Sequence, residues 1–188
     1  MRRNRHAALG LALLALAALS GCGTSPASAP TTEIKNPSFV RTAPPRDERP
    51  GAQIYGATSD APTSTSAVID GSVGGTLQLR EFRLDVPKGA FEGSATITMN
   101  LPDPSIYQVD LHIDPPAANH FEVPVVLTAT LPTRTDAMAD EFLWYDGSVE
   151  AWRVIPTTRN VNTITVATPL THFSLYGIID YVLGKAGW

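Results

Sequence analysis

Six side chains in the second half of the chain have the chemistry to bind a metal ion. They are the imidazoles of His112, His120 and His172 and the carboxylates of Asp110, Asp114 and Glu122. The separations of the histidines match no local spacing of zinc ligands, and the acids lack the alternating pattern of a calcium loop. The sequence therefore predicts no metal site, and the acids are interpreted as solvated strand and loop residues.

The usual signatures of a nucleophilic or phosphate-binding enzyme are also missing from the sequence. No serine lies in a Gly-x-Ser-x-Gly elbow, and the glycine-rich segment 71–75 lacks the lysine and the following helix of a phosphate loop. No pair of side chains has the spacing of a conventional hydrolase. We therefore predict that the protein is not an enzyme and needs no cofactor.

Cys22 has the most specific chemical context in the chain. It is the only cysteine, so the chain can form neither an internal disulfide nor a cysteine-based metal site. A basic segment at residues 2–5 precedes an apolar run, Ala7–Leu19, that is too short to span a bilayer. The next residues, Leu19-Ser20-Gly21-Cys22, resemble the lipobox of bacterial lipoproteins at all four positions.

This motif predicts that residues 1–21 are a lipoprotein signal peptide and that Cys22 is lipidated. The lipid chains would anchor the protein to a membrane, on the extracytoplasmic side of the cell envelope. Gly23 provides no acidic retention signal, so the outer membrane is expected if the host has two membranes. An ordinary signal peptide with an incidental cysteine is the alternative interpretation.

Residues 22–66 are predicted to be a flexible linker that begins at the lipidated cysteine. Serine, threonine and alanine fill much of this segment, and proline-rich segments of this type stay extended rather than burying a core. The prolines are Pro26, Pro30, Pro37, Pro44, Pro45, Pro50 and Pro62. The whole chain carries a net charge of −4 without a basic face, so no nucleic-acid partner is predicted.

From residue 67 the sequence changes to short runs with alternating apolar residues. These lie at odd positions in 77–79 and at even positions in 82–86. A change of phase requires a bulge or a tight turn, which we place at Arg80-Glu81. Pro87-Lys88-Gly89 is expected to end the second strand, because proline donates no hydrogen bond and glycine accepts positive φ.

Similar runs continue to residue 178 and predict an all-β, antiparallel β-sandwich over residues 67–178. Sustained helical periodicity is absent, although Ile179–Leu183 in the tail, 179–188, could form one turn. The remaining predicted strands are Val68–Ile69, Ala95–Leu101, Val109–Ile113, Val123–Leu131, a hairpin of Phe142–Tyr145 with Ala151–Ile155, Asn162–Ala167 and Thr171–Ile178.

Trp144, Tyr145 and Trp152 form the main aromatic cluster of the sequence. In the predicted hairpin, Trp144 and Trp152 could be cross-strand neighbours in the core, because a small domain needs its large apolar side chains inside. The alternative is an exposed platform that binds a ligand, as aromatic side chains do in carbohydrate-binding sandwiches.

Several short motifs in residues 71–178 resemble the ZU-five domain, the β-sandwich module of zonula-occludens proteins, netrin receptors and ankyrins. The most extended one is a strand followed by Pro-x-Gly-Ala and an apolar residue. The resemblance rests on Gly74-Gly75, Phe82–Phe91, Ile97, Phe121, Pro124-Val125, Trp144-Tyr145-Asp146, Trp152 and His172-Phe173-Ser174.

The resemblance implies a chemical alternative at His172-Phe173-Ser174, because some members of the family cleave themselves between the phenylalanine and the serine of this tripeptide. Ser174 would attack the Phe173 carbonyl and His172 would accept the proton, which requires a strained peptide and donors for the oxyanion. The simpler interpretation is that Phe173 is a core residue of the last strand and that His172 caps or bonds a neighbouring loop.

Together these patterns predict a lipid-anchored bacterial lipoprotein that displays a non-enzymatic binding or structural module in the cell envelope. Its expected partners are the membrane, through Cys22, and an envelope protein or glycan. The alternative function is a domain that cleaves itself at Phe173-Ser174.

Overall fold

Alternation of apolar and polar residues produces strands along most of the described chain. The computed structural model describes residues 33–41 and 61–179. These residues form a six-residue helix α1 (Arg134–Ala139), a 3-10 turn (Pro116–Ala118) and twelve strands. The strands are β1 (Glu33–Ile34), β2 (Ser64–Asp70), β3 (Gly75–Leu79), β4 (Phe82–Val86), β5 (Ser94–Asn100), β6 (Gln108–Asp114), β7 (Val125–Thr130), β8 (Glu141–Asp146), β9 (Ala151–Val154), β10 (Thr158–Asn160), β11 (Thr165–Leu170) and β12 (Leu175–Ile179).

The strands form two sheets, and every pairing within them is antiparallel. One sheet has seven strands in the order β1-β9-β8-β12-β6-β5-β2, and the other has five in the order β10-β11-β7-β4-β3. Inward side chains from most of the strands form the main hydrophobic core, as with Phe82 and Leu84 from β4 and Ile97 and Met99 from β5, whereas all three residues of β10 are exposed. The predicted all-β, antiparallel sandwich is therefore confirmed.

The predicted change of phase after β3 is a two-residue turn. Leu79 pairs with Phe82, which leaves Arg80 and Glu81 as the turn, and Arg80 has a φ of 50°. The structure confirms the position given by the alternation. Gly89, which follows the end of β4, has a φ of 83°, a conformation that glycine adopts without strain.

Two predicted strands in the last third of the chain have different bounds. The strand predicted at Asn162–Ala167 is wrong over its first half, because residues 161–164 form a turn between β10 and β11. The Asn160 carboxamide oxygen accepts hydrogen bonds from the backbone N–H groups of Asn162 and Thr163 and stabilises that turn. The last strand begins at Leu175 rather than at Thr171 and ends at Ile179.

Helix α1 is an element that the sequence analysis missed. Thr133 forms a capping box with Asp136, in which each side chain accepts a hydrogen bond from the backbone N–H group of the other residue. Six residues are too few to show helical periodicity, so only the capping pattern could have signalled this helix. No helix in residues 33–41 and 61–179 is long and apolar enough to cross a membrane.

Residues 33–41, which we call the strap, correct the prediction of a flexible linker over residues 22–66. Strand β1 pairs with β9, so that Glu33 lies opposite Arg153 and Ile34 lies opposite Trp152. At the other end of the strap, the Val40 N–H donates to the Ile178 carbonyl at 2.9 Å. The sandwich also begins at Ser64, three residues earlier than predicted, and includes Ile179.

The strap pairs with the sandwich because its apolar side chains cover an apolar patch on the outer side of the seven-stranded sheet. Phe39 lies against Trp152 with ring centroids 4.9 Å apart. The patch also contains Leu143 and Ile179, both buried. Gly177 provides the space for the Phe39 ring, because a Cβ at this position would clash with it. The spacing of Ile34 and Phe39 follows no strand or helix period, so sequence periodicity gave no sign of this contact.

Gly177→Ala is expected to displace the strap while the two sheets remain folded. The added methyl group overpacks the site of Phe39, which typically costs about 1–3 kcal/mol of unfolding free energy. Hydrogen exchange of residues 33–41 and urea denaturation measure the two effects. Gly147→Ala is the control, because the nearest atom to its added Cβ is 4.0 Å away. Unchanged exchange in the strap of Gly177→Ala would contradict this account of Phe39.

Candidate functional site

His172, Phe173 and Ser174 lie where the chain passes from one sheet to the other. Strand β11 belongs to the five-stranded sheet and β12 to the seven-stranded sheet, so residues 171–174 connect the two. We call these residues the crossing segment. Most of this segment lies outside the sheet ladders, so other elements must satisfy its backbone polar groups.

Each of the four carbonyl groups of the crossing segment accepts a hydrogen bond from a different residue. The Phe121 N–H donates to the Thr171 carbonyl at 2.9 Å, and the Leu111 N–H donates to the Ser174 carbonyl at 3.0 Å. The Tyr176 hydroxyl donates to the carbonyl of His172, the second residue of the segment, at 2.6 Å. The crossing segment is therefore held along its whole length.

Asn119 holds the third carbonyl and is the residue that the sequence analysis missed. Its Nδ2 donates to the Phe173 carbonyl at 3.1 Å, and its Oδ1 accepts from the Phe173 N–H at 2.5 Å. The side-chain amide thus replaces the partner strand that Phe173 lacks. Asn119 follows the 3-10 turn and lies 54 positions before Phe173 in sequence, so no local pattern connects the two.

Phe173 is a buried residue of the main core. Its side chain is 4% exposed and contacts the ring of Phe121 at a centroid distance of 4.6 Å. Phe91 extends this row of aromatic rings on the other side of Phe121. Phe173 nevertheless lies outside β12, because its backbone groups bond to Asn119 rather than to a neighbouring strand.

His172 is half-buried against Trp144. The two rings meet edge to face at a centroid distance of 5.0 Å, and the His172 Nδ1 lies 3.5 Å from the hydroxyl of Thr171. Burial lowers the pKa of His172 below its ordinary value of 6.5, because the charged imidazolium loses solvation there. The imidazole is therefore neutral at pH 7 and is able to accept a proton.

Ser174 bonds through its hydroxyl group to β8 rather than to this imidazole. The Ser174 Oγ donates to the carbonyl of Tyr145 on β8 at 3.3 Å, and no hydrogen bond joins Ser174 to His172 in the described structure. Among residues 33–41 and 61–179, the non-glycine residues with positive φ are Arg80, Glu150 and Ile164, so the crossing segment lacks this form of backbone strain. The site therefore contains the Phe173 carbonyl bonded to Asn119, the neutral imidazole of His172, and the Ser174 hydroxyl, which is bonded to the Tyr145 carbonyl.

The aromatic residues of the β8–β9 hairpin lie on two sides of the sheet. Tyr145 lies opposite Trp152, whereas Trp144 lies opposite Arg153. The prediction that Trp144 and Trp152 are cross-strand neighbours is therefore wrong. The four-residue loop 147–150 sets the pairing of the hairpin, and a shift of one residue in register moves a side chain to the opposite face.

The hairpin aromatics are also largely covered. Trp152 is 7% exposed and lies beneath Phe39, while Trp144 is half-buried against the main core. The Trp144 Nε1 is buried and has no hydrogen-bond partner in the described part of the chain. Tyr145 stacks at a tilt on Trp152 with centroids 5.3 Å apart. These residues do not form the exposed platform that was the alternative prediction.

The residues considered for a metal site are dispersed in the structure. His112 bonds to Asp110 through an Nε2–Oδ2 contact of 2.7 Å on the outer side of β6, and His120, Asp114 and Glu122 are exposed. No group of three or more His, Cys, Asp or Glu side chains in the two described ranges is arranged to hold a metal ion. Cys22 lies outside the described residues, as do the tail residues beyond Ile179.

Comparison with known proteins assigns no family to this arrangement. No protein-family model matches the chain, and no curated protein is significantly similar to it.

The unfolding free energy is expected to fall as the pH is lowered from 7 to 5, in part through His172. Its pKa is lower in the folded chain than the ordinary value of 6.5, so the unfolded chain binds the proton first as the pH falls. Proton binding then lowers the free energy of the unfolded chain relative to the folded chain, and the unfolding free energy decreases below about pH 6.5. Urea denaturation across this range measures the slope. His172→Gln should flatten the slope, and His120→Gln, at an exposed loop position, should retain it. Equal slopes in the wild type and His172→Gln would contradict the prediction.

Proposed function

We propose that this protein is a lipid-anchored bacterial lipoprotein whose β-sandwich is a non-enzymatic binding or structural module of the cell envelope. The observation that carries the proposal is the complete lipobox ending at Cys22, followed closely by the folded domain. Only residues 23–32 separate Cys22 from β1. Ten extended residues reach about 33–36 Å, so the strap would keep the sandwich near the membrane surface.

The contacts of the crossing segment support a structural rather than a catalytic role for His172-Phe173-Ser174. Phe173 contributes to the core, and its carbonyl belongs to the set of hydrogen bonds that holds the connection between the two sheets. The Ser174 hydroxyl is already bonded to the Tyr145 carbonyl. Groups that serve the fold in this way need no catalytic function to account for their arrangement.

The resemblance to the ZU-five domain is consistent with a binding module. The motif with Pro-Lys-Gly-Ala occupies β4 and the corner after it, where the Gly89 N–H donates to the Gly71 carbonyl at 2.6 Å and the Glu122 N–H donates to the Ala90 carbonyl at 3.0 Å. We propose an envelope protein or glycan as the partner, with the outer membrane as the location in a host that has two membranes.

Lipidation is tested with Cys22→Ser. When the full-length chain is expressed in a bacterial host with labelled palmitate, the wild type should incorporate label and enter the detergent phase of a phase separation. Cys22→Ser should remain unlabelled and enter the aqueous phase. Ser20→Ala is a control that keeps a small residue in the lipobox and should retain the label. A wild-type chain without label would refute the anchor.

A second candidate function is self-cleavage between Phe173 and Ser174, which is favoured by the Asn119 hydrogen bond to the Phe173 carbonyl and by the neutral imidazole of His172. The Ser174 Oγ would leave the Tyr145 carbonyl and attack the Phe173 carbonyl carbon while His172 accepts its proton. Asn119 would stabilise the oxyanion. Breaking the C–N bond, with the proton returned to the Ser174 nitrogen, gives an ester, and water hydrolyses it to a Phe173 carboxylate and a new amino terminus.

The mass of the denatured full-length chain tests this second candidate. Self-cleavage should give two fragments whose masses sum to that of the intact chain plus one water molecule, and Ser174→Ala should abolish them. Ser148→Ala, which alters a serine in the β8–β9 loop, should leave the fragments unchanged. A single intact species in the wild type would eliminate self-cleavage without affecting the lipoprotein proposal.

A further inference from the structure

Strand β2 forms one edge of the seven-stranded sheet. It pairs with β5 over seven consecutive residues, Ser64–Asp70, and in the described structure it has a strand neighbour on that side only. Its exposed side chains are those of Ser64, Ser66, Val68 and Asp70, and Val68 is 73% exposed. A long strand edge with these side chains is a ready template for adding another strand.

The hydrogen bonds at both ends of β2 identify the backbone groups that face the open edge. The Leu101 N–H donates to the Thr63 carbonyl and the Gly71 N–H donates to the Gly93 carbonyl, each at 2.8 Å. Bonded pairs recur at every second residue of an antiparallel ladder, so the odd-numbered residues bond to β5. The N–H and C=O groups of Ser64, Ser66 and Val68 and the N–H group of Asp70 therefore point to the open edge. The Asp70 carbonyl instead accepts hydrogen bonds from the N–H groups of Val73 and Gly74 in the following turn.

Strand β2 also lacks the features by which proteins protect an edge. It contains no proline, lysine, arginine or bulge, and its one charged residue, Asp70, is at the end. The edge strands β1 and β10 are much shorter, with two and three residues, and β10 contains Arg159. The remaining edge strand, β3, has five residues, so β2 is the longest of the four edges.

We propose that the partner of β2 is the same strand of a second copy of this chain, paired antiparallel about a two-fold axis at Ala67. This register places Ser66 opposite Val68 and Ser64 opposite Asp70 of the second copy, so the N–H and C=O groups of Ser66 and Val68 pair and the Asp70 N–H donates to the Ser64 carbonyl. The interaction continues the antiparallel pattern of the sheet. It is isologous, because the same surface serves both copies.

The side chains of β2 favour this partner over a foreign peptide. The two Val68 side chains lie diagonally across the axis on the outer face, where each covers exposed apolar surface of the other. Asp70 faces Ser64, so like charges do not meet, and its carboxylate already accepts a hydrogen bond from the Ser72 N–H at 2.8 Å.

The proposal is tested by sedimentation of the full-length chain in a non-ionic detergent over a range of concentrations. We expect a monomer–dimer equilibrium that Val68→Lys weakens at least tenfold, because two ammonium groups would meet near the axis. Thr96→Lys is the matched control, since Thr96 is the β5 partner of Val68 and is exposed on the same face. It should leave the dimer unchanged.

Ser66→Pro provides a second test, because it removes an outward N–H group and leaves the ladder to β5 intact. It should also weaken the dimer. Amide exchange should be fast at Ser66 and Val68 in the dilute monomer and slow in the concentrated dimer. A monomer at every concentration overturns the proposal, as does a dimer that Val68→Lys and Ser66→Pro leave unchanged. Neither result depends on lipidation of Cys22, so the two proposals fail separately.

Discussion

The fold depends on the hydrogen bonding of the crossing segment, residues 171–174. The chain leaves the five-stranded sheet here and enters the middle of the seven-stranded sheet, where β12 lies between β8 and β6. Backbone groups at such a point cannot remain unpaired without a large desolvation cost. Asn119, Phe121, Leu111 and Tyr176 supply the four donors, and three of these residues come from other parts of the chain. The bond between Ser174 and Leu111 has the same register as the pairing of β12 with β6, so the crossing segment leads directly into the ladder of the central strand.

The sequence predicted the elements whose formation depends on local alternation. The change of phase at Arg80-Glu81 located a turn to the residue, because side chains in a strand alternate strictly between its two faces. The strands β4, β5, β6 and β7 were predicted within two residues of their bounds for the same reason. Helix α1 and the turn at residues 161–164 were missed, since both depend on side-chain hydrogen bonds rather than on periodicity.

The candidate site was less predictable because its geometry results from tertiary contacts. The sequence identified His172, Phe173 and Ser174, but the partners that decide their chemistry are Asn119 and the Tyr145 carbonyl, which are distant in sequence. The error over Trp144 and Trp152 has a similar cause. Both residues were assigned to the correct hairpin, yet the loop between the strands determines which face each ring occupies.

The contact between Phe39 and Gly177 has a mechanical consequence for a chain anchored at Cys22. If Cys22 is lipidated as proposed, tension from the anchor would enter the sandwich at β1, and residues 23–32 would set the greatest distance between the lipid and the strap. If the strap detached, the tether would extend over residues 23–63, and its maximal length would rise from about 33–36 Å to about 135–148 Å. The contact of the Phe39 ring with Gly177 would thus control the length of the tether. The force needed to release it would depend on the two-residue strand β1, the backbone hydrogen bonds of Val40 and the apolar contacts of Phe39.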